Sequence, residues 1–397
     1  MKHAIRLAAT LSVAALLAAC GSNTSDTSDT GEKKKTSGET SKAAFDKDPY
    51  PSTYAPYPSG TVLFQNATVY DGIGGIFENY DVLLQDGNVA ALGEDLEAGD
   101  DVEVIDASGK VVTPGIIDNH SHLGVYPSPS VSALQDGNEV SGPVTAEVWA
   151  EHGLWPQDPG FTRALAGGVT SLQILPGSAN LFGGRGVTIK NVLARTVQGM
   201  KFPNAPYTLK MACGENPKRV YGYGSGGFPG GSPYSRMGNM AGYRTSWIKA
   251  NEYKQKWDKW EKDGGDMPAR DLELDTLKGV LDGDILVHMH CYRADEMAQV
   301  MDMSKEFGYK VTSFHHAVES YKIADKLAEY GACSSMWADW WGFKMEAFDG
   351  IPENAALSSS AGVRVVIHSD SPMDIQRLNQ EAAKAFMEKR KPEFKGR

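Results

Sequence analysis

Short runs of apolar and alternating residues fill residues 61–113 of the chain. Residues 61–64, 68–70, 82–84 and 89–92 are strand-like, and residues 102–105 and 110–113 continue the meander. Asp86-Gly87 separates two of these runs and predicts a two-residue hairpin, because Asp and Gly tolerate the positive φ such turns need. The segment 59–113 is thus expected to form a small antiparallel sheet. After Pro114-Gly115 the texture changes. Residues 168–175, 207–212, 284–288, 310–314, 333–337 and 363–367 read as buried strands, and residues 161–166, 295–307, 319–330 and 374–389 as helices. This alternation predicts an α/β fold with a (β/α)8 barrel, a TIM barrel, over 114–397. An open doubly wound sheet is the alternative. The glycine-rich stretches 183–186 and 222–231 are read as loops, and neither carries the Lys-Ser/Thr of a phosphate loop.

The first twenty residues follow a different logic. Lys2 and Arg6 make a positive start, residues 7–17 an apolar stretch too short for the ~20 residues of a membrane-spanning helix, and Leu17-Ala18-Ala19-Cys20 closes it. That ending resembles the bacterial lipobox, which implies a lipoprotein signal peptide over residues 1–20, cleaved before Cys20 so that the lipidated Cys20 becomes the new N-terminus. Gly21 then favours sorting to an outer membrane. Residues 21–58 begin with a Ser/Thr/Asp/Lys-rich stretch that has little to bury, and are expected to be a flexible tether. The expected address is extracytoplasmic, lipid-anchored to a bacterial membrane, facing the periplasm or the surface. Cys213, Cys291 and Cys333 are widely spaced and show no disulfide framework, so they are expected to be small apolar fillers. With 41% hydrophobic and 22% charged residues the remainder is an ordinary globular chain. Its formal net charge of −11 argues against nucleic acid as a partner. A small-molecule substrate, the membrane through its anchor, and further copies of the same chain remain.

The candidate chemistry lies in the histidines. Of nine in the chain, all but His3 and His152 fall at the ends of expected strands: His120, His122, His288, His290, His315, His316 and His368. The C-terminal strand ends of a barrel form one rim, where active sites sit. His120-Ser121-His122 puts two imidazoles on the same face of a strand, a spacing that suits one divalent cation. The late Ser369-Asp370 adds a carboxylate, for which a helix N-cap is the bland alternative. His290 should share the face of His288. His315 should point away from His316 if the strand stays regular, and His368 is read as buried support rather than a ligand.

Residues 113–122, Val287-His288-Met289-His290, Phe314-His315-His316-Ala317 and Ile367-His368-Ser369-Asp370 resemble the strand-1, 5, 6 and 8 motifs of the amidohydrolase superfamily, in order and spacing over roughly residues 61–385. The imidazolonepropionase-like subgroup, with its Xaa-Pro dipeptidases, is the most similar. The resemblance implies a small β-sandwich part beside the barrel. It also implies a divalent metal, zinc by its ligand types, at one or two ions per chain. His120, His122 and Asp370 would hold the first ion, and His288 and His316 the second. A carboxylated Lys210 or Glu215 would bridge them, with both candidates open and Lys190 a weaker third. Asp370 would act as general base and acid, and His290 would contact substrate or the transition-state oxygen. Tyr292, Arg293 and Trp340 are candidate substrate contacts, Arg293 through a substrate carboxylate.

Family chains continue past the strand-8 helix into strands that complete the sandwich. This sequence ends at Arg397, so the strands of 59–113 are expected to lack those partners. The expected function is hydrolysis of an amide-type C–N bond in a dipeptide, an N-acyl amino acid or a cyclic amide. A mononuclear deaminase and a non-catalytic binding lipoprotein are the alternatives.

Overall fold

A computed structural model describes residues 47–223 and 231–387, so the expected signal peptide, Cys20 and most of the tether lie outside the described residues. Residues 47–58, assigned by composition to the tether, run along the barrel instead: Thr53 N–H donates to the Gln198 carbonyl at 2.9 Å, and Asp48 pairs with the buried Lys201 at 2.5 Å.

The strands β1 (Val62–Tyr70), β2 (Ile76–Gln85), β3 (Asn88–Gly93), β4 (Glu103–Asp106) and β5 (Val111–Val112) form one five-stranded sheet, ordered β3-β2-β1-β4 with β5 also on β1. The sheet is mixed rather than antiparallel as expected, because β4 and β5 run parallel to β1. Ala67, Val69, Val82 and Ala107 are its buried centre. The β2–β3 hairpin turns at Asp86 and Gly87, whose φ values of 51° and 73° are both positive. This is the conformation a two-residue turn needs to follow the twist of its strands.

Eight further strands follow sequence order around a second sheet: β6 (Ile116–Ser121), β7 (Val169–Ile174), β8 (Phe182–Lys190), β9 (Thr208–Ala212), β10 (Leu286–Cys291), β11 (Val311–His316), β12 (Cys333–Met336) and β13 (Arg364–Ile367). The sheet is a nearly closed barrel. Strict strand–helix alternation fails at one place, because β8 runs antiparallel to both β7 and β9. Only residues 175–181 join β7 to β8, too few for the dozen or so a parallel crossover needs, so the chain must turn straight back. This corrects two expectations, since the glycine-rich run 183–186 lies inside β8 and is not a loop. Its glycines meet close neighbours: a Cβ on Gly184, at φ +107°, would stand 2.4 Å from the Val148 carbonyl oxygen, and one on Gly186 would meet the Thr208 side-chain Oγ1 at 2.5 Å. The low strand propensity of glycine is outweighed by the need for close approach.

The seam between β6 and β13 has no regular ladder. It is latched by side chains and one main-chain bond where the strands end. Asp370 N–H donates to the His120 carbonyl at 3.1 Å. The buried Asp118 carboxylate accepts from His120 N–H (3.1 Å), Ser369 N–H (3.2 Å) and the Ser369 hydroxyl. The latch therefore holds together the strands that carry His120, His122 and Asp370.

Helices cover the outside of the later strands: Leu272–Leu281 before β10, Ala294–Phe307 after it, and Ala324–Tyr330 after β11. The last two stop at Gly308 and Gly331, both left-handed, as a helix end with no Cβ in the way readily does. A 28-residue helix, Arg236–Asp263, buries Tyr243, Trp247, Ala250, Tyr253 and Trp257 along one stripe. Among the described residues no helix is long and apolar enough to cross a membrane.

The cysteine expectation is also corrected. Cys213 and Cys291 form a disulfide, with Cα atoms 5.2 Å apart. The pairing of Ala212 with His290 on β9 and β10 sets the next residue of each strand side by side, a proximity hidden by 78 residues of intervening sequence. Cys333 is free and half-buried.

Candidate metal centre

β6 delivers His120 and His122 to the rim, and the turn after β13 brings in Asp370. His120 Nε2 lies 3.2 Å from His122 Nε2, and Asp370 Oδ1 lies 3.2 Å and 3.1 Å from them. Ligand atoms ~2.1 Å from one tetrahedral ion stand about 3.4 Å apart, so these three atoms have the spacing of three corners of such a site. His122 Nδ1 is 2.8 Å from the Leu175 carbonyl, which fixes the proton there and leaves the Nε2 lone pair facing Asp370. Asp370 itself sits at φ 57°, a left-handed conformation that Asp tolerates better than most residues.

The end of β11 departs from strand geometry. His315 keeps the interior face that it shares with Ser313 beside His288, while His316, at φ 69° and followed by Ala317 at φ 25°, leaves strand geometry and turns to the same cluster, so His315 does not point away as expected. His315 Nδ1 meets His120 Nδ1 at 2.8 Å, and its Nε2 meets His288 Nδ1 at 2.8 Å. His288 is therefore joined to the cluster through His315. His316 Nδ1 lies 3.8 Å from Asp370 Oδ2. Ligating nitrogens of His120, His316 and His368 also come within 4.8 Å of one another, so His368, read as support, lies inside the donor set. His290 packs its ring on His316 at 4.6 Å.

The donor set fits a cation. Burial holds His120, His290, His315 and His316 well below the ordinary imidazole range, and takes His288 to about 3 and His368 to about 4. Neutral imidazole is the form that ligates. Burial would raise Asp370, but its contacts with His316, His122 and His368 outweigh it and keep the carboxylate ionised far below its usual range. His290 Nδ1, His316 Nδ1 and both ring nitrogens of His368 are buried without a hydrogen-bond partner. Such orphaned nitrogens each cost about 1–3 kcal/mol, a cost that a bound ion can relieve.

These imidazoles carry a pH dependence. Unfolded, His288 and His368 titrate near the ordinary 6.5, while folded they stay neutral down to about 3 and about 4. As pH falls from ~6.5 to ~4 the unfolded chain takes up protons the folded chain refuses, so stability drops by about 1.4 kcal/mol per pH unit for each group. Urea midpoints of the chelator-treated protein are expected to fall across that window. A midpoint constant from pH 6.5 to 4 would contradict the burial of these rings.

Lys210, on β9, is fully buried and lowered by that burial to about 7. Its Nζ donates to the Pro176 carbonyl at 3.0 Å and stands 3.5 Å from His120 Nε2. Glu215 is not brought to the histidines; its carboxylate lies 3.9 Å from Lys344. Lys190 lies elsewhere, over the rings of Phe202 and Tyr54 at 4.4 and 5.2 Å. Tyr292 stacks on His316 with ring centroids 5.2 Å apart, and Trp340 stacks on Trp337, which itself covers His316 at 4.5 Å. Arg293 immediately precedes a helix and pairs with that helix's own first turn. Its guanidinium makes a two-point contact with Asp295 at 2.9 and 2.8 Å, because it opens the helix Ala294–Phe307 and meets that helix's acidic first turn. The cation that does reach this wall is Lys344, 3.8 Å above the Tyr292 ring and held by Glu346 at 3.3 Å. Sequence reading missed Lys344, which no strand-end position marks.

The crystal structure of an amidohydrolase from Thermotoga maritima MSB8 is 36% identical in sequence, with a TM-score of 0.76, over 83% of this chain and 84% of that one. The chain belongs to the amidohydrolase superfamily. The amidohydrolase tasK of Hapsidospora irregularis is 32% identical over 340 residues, 79% of this chain but 34% of that protein, so the match spans about a third of that relative's length. A dihydroorotase of Geobacter metallireducens is 32% identical over 127 residues, 32% of this chain and 24% of the enzyme. No family model matches the chain. Membership of this superfamily accounts for the barrel and for the divalent metal typical of it, and the histidine and aspartate cluster is a donor set that could hold one.

Proposed function

We propose that this chain is a membrane-tethered, metal-dependent hydrolase of an amide-type C–N bond, with a dipeptide, an N-acyl amino acid or a cyclic amide as substrate. The observation that carries the reading is the convergence of His120 Nε2, His122 Nε2 and Asp370 Oδ1 within 3.2 Å of one another at one end of the barrel. His120, His122 and Asp370 would hold a divalent cation, with zinc the best match to these ligands. His316 and His288 would serve a second ion, and Lys210 rather than Glu215 would lie between them. When bound, the cation would acidify a water molecule and polarise the scissile carbonyl. Asp370, ionised and still partly open to the mouth, would take the proton of the attacking water and return it to the leaving nitrogen. His290, whose Nδ1 has no partner, is a substrate contact. Tyr292, Trp337 and Trp340 supply an apolar wall. Export and lipidation at Cys20 are supported by the signal-like first twenty residues and by the Cys213–Cys291 disulfide, which suits an oxidising compartment.

The purified full chain should hydrolyse a member of a panel containing Xaa-Pro dipeptides, N-acetyl amino acids and dihydroorotate. That activity should vanish on chelation and return with zinc. Hydrolysis untouched by exhaustive chelation would refute the metal-dependent reading, and ammonia release without chain cleavage would reassign it to deamination.

A further inference from the structure

Tyr126 sits one turn beyond His122. Its N–H donates to the His122 carbonyl at 2.8 Å, and its ring meets the His122 imidazole edge-on with centroids 5.5 Å apart. The ring lies in a cradle that a side chain would fill, because a Cβ on Gly137 would stand 2.2 Å from Tyr126 Cζ. The phenol oxygen is gripped by Asn138, whose Nδ2 donates to it. The orientation of that amide is fixed from its other end: Asn138 Oδ1 accepts the Ala179 N–H at 3.1 Å. Gly177 leaves room for it, since a Cβ there would stand 2.3 Å from Asn138 Nδ2.

Because Asn138 must present its N–H2 end, the tyrosine oxygen is the acceptor in this contact. Its own proton is then unspent, and among the described residues no acceptor takes it. An ordinary phenol, with a pKa of about 10, carries that proton at neutral pH. His122 Nδ1 is committed to the Leu175 carbonyl, so the phenol would stand beside His290 as a further donor to the substrate. Addition of water to an amide places negative charge on the former carbonyl oxygen, and a fixed donor aimed at that oxygen lowers the barrier.

We infer that Tyr126 is a catalytic hydrogen-bond donor. Its O–H holds the substrate carbonyl oxygen and tightens on that oxygen as the carbonyl becomes tetrahedral. Asn138, Gly137 and Gly177 act through it as positioning residues. The inference rests on the hydrolase reading above. It is tested by calorimetric titration of the zinc-loaded full chain with methylphosphonate, a tetrahedral oxyanion, beside metal content and thermal midpoint. Tyr126→Phe, which keeps the ring, should weaken methylphosphonate binding at least tenfold with zinc content and midpoint unchanged. Asn138→Leu should weaken it less, by freeing the phenol to rotate. Unchanged affinity in Tyr126→Phe, loss of zinc from that variant, or zinc-loaded wild type that binds no methylphosphonate would each overturn the tyrosine's role. A wild type that takes up no zinc would instead bring down the hydrolase reading on which the inference stands.

Discussion

Asp370→Asn is expected to lower the rate of hydrolysis at least a thousandfold while leaving the barrel folded. The amide keeps the size of the carboxylate and, like Asp, tolerates the left-handed φ of 57°. It also keeps the main-chain bond from residue 370 to the His120 carbonyl, since that bond uses no side-chain atom. What it loses is the anion. The wild-type carboxylate is held ionised by His316, His122 and His368 against the cost of burial, and an amide can neither accept the water's proton nor balance a cation's charge. General-base catalysis contributes about 10²–10⁴-fold, and weakened cation binding adds to the loss. Steady-state rates and circular dichroism on the same preparation would check it. A loss of less than tenfold would mean that another group takes the proton.

The second large effect lies at the seam, at a residue that touches no reacting atom. Asp118→Ala should leave His120 N–H, Ser369 N–H and the Ser369 hydroxyl buried without their acceptor. At about 1–3 kcal/mol for each of the three orphaned donors, the expected loss of stability is roughly 3–9 kcal/mol. The strands bearing His120 and Asp370 would also be free to separate, so metal should be lost with stability. Asp118→Asn separates this account from a general need for an acid. The side-chain oxygen can still accept both N–H groups, and the new N–H2 can donate to the Ser369 hydroxyl. Burial already raises the Asp118 carboxyl to about 7, so a neutral side chain suits the site. Urea unfolding should place Asp118→Asn close to wild type and Asp118→Ala far below it. Equal losses in the two variants would contradict the latch.

The strand ends were legible in the sequence because histidines interrupt apolar runs, and a period of two fixes which residues share a face. The Asp86-Gly87 turn was legible for a similar local reason. Three features were not. The glycines of β8 suppress the apolar signature of a strand, and their reason for being there, the approach of Val148 and Thr208, is a contact between distant segments. The joint inward placement of His315 and His316 follows from the positive φ at His316 and Ala317, which turns His316 to the face His315 already occupies and which no residue type at those positions announces. Arg293 was assigned to a substrate because it follows His290, yet a helix starts at its neighbour and Asp295 captures the guanidinium. The 28-residue helix Arg236–Asp263 escaped notice because its buried stripe is built from Tyr and Trp among charged residues, rather than from aliphatic side chains.

The central claim is that His120, His122 and Asp370 form one cation site. It is tested most directly by diffraction from crystals of the full chain grown with zinc, with data collected on either side of the zinc absorption edge. The account predicts an anomalous peak roughly 2.0–2.3 Å from His120 Nε2, His122 Nε2 and Asp370 Oδ1 together. Zinc bound at other residues with this triad empty, or no anomalous peak in the barrel at all, would contradict it.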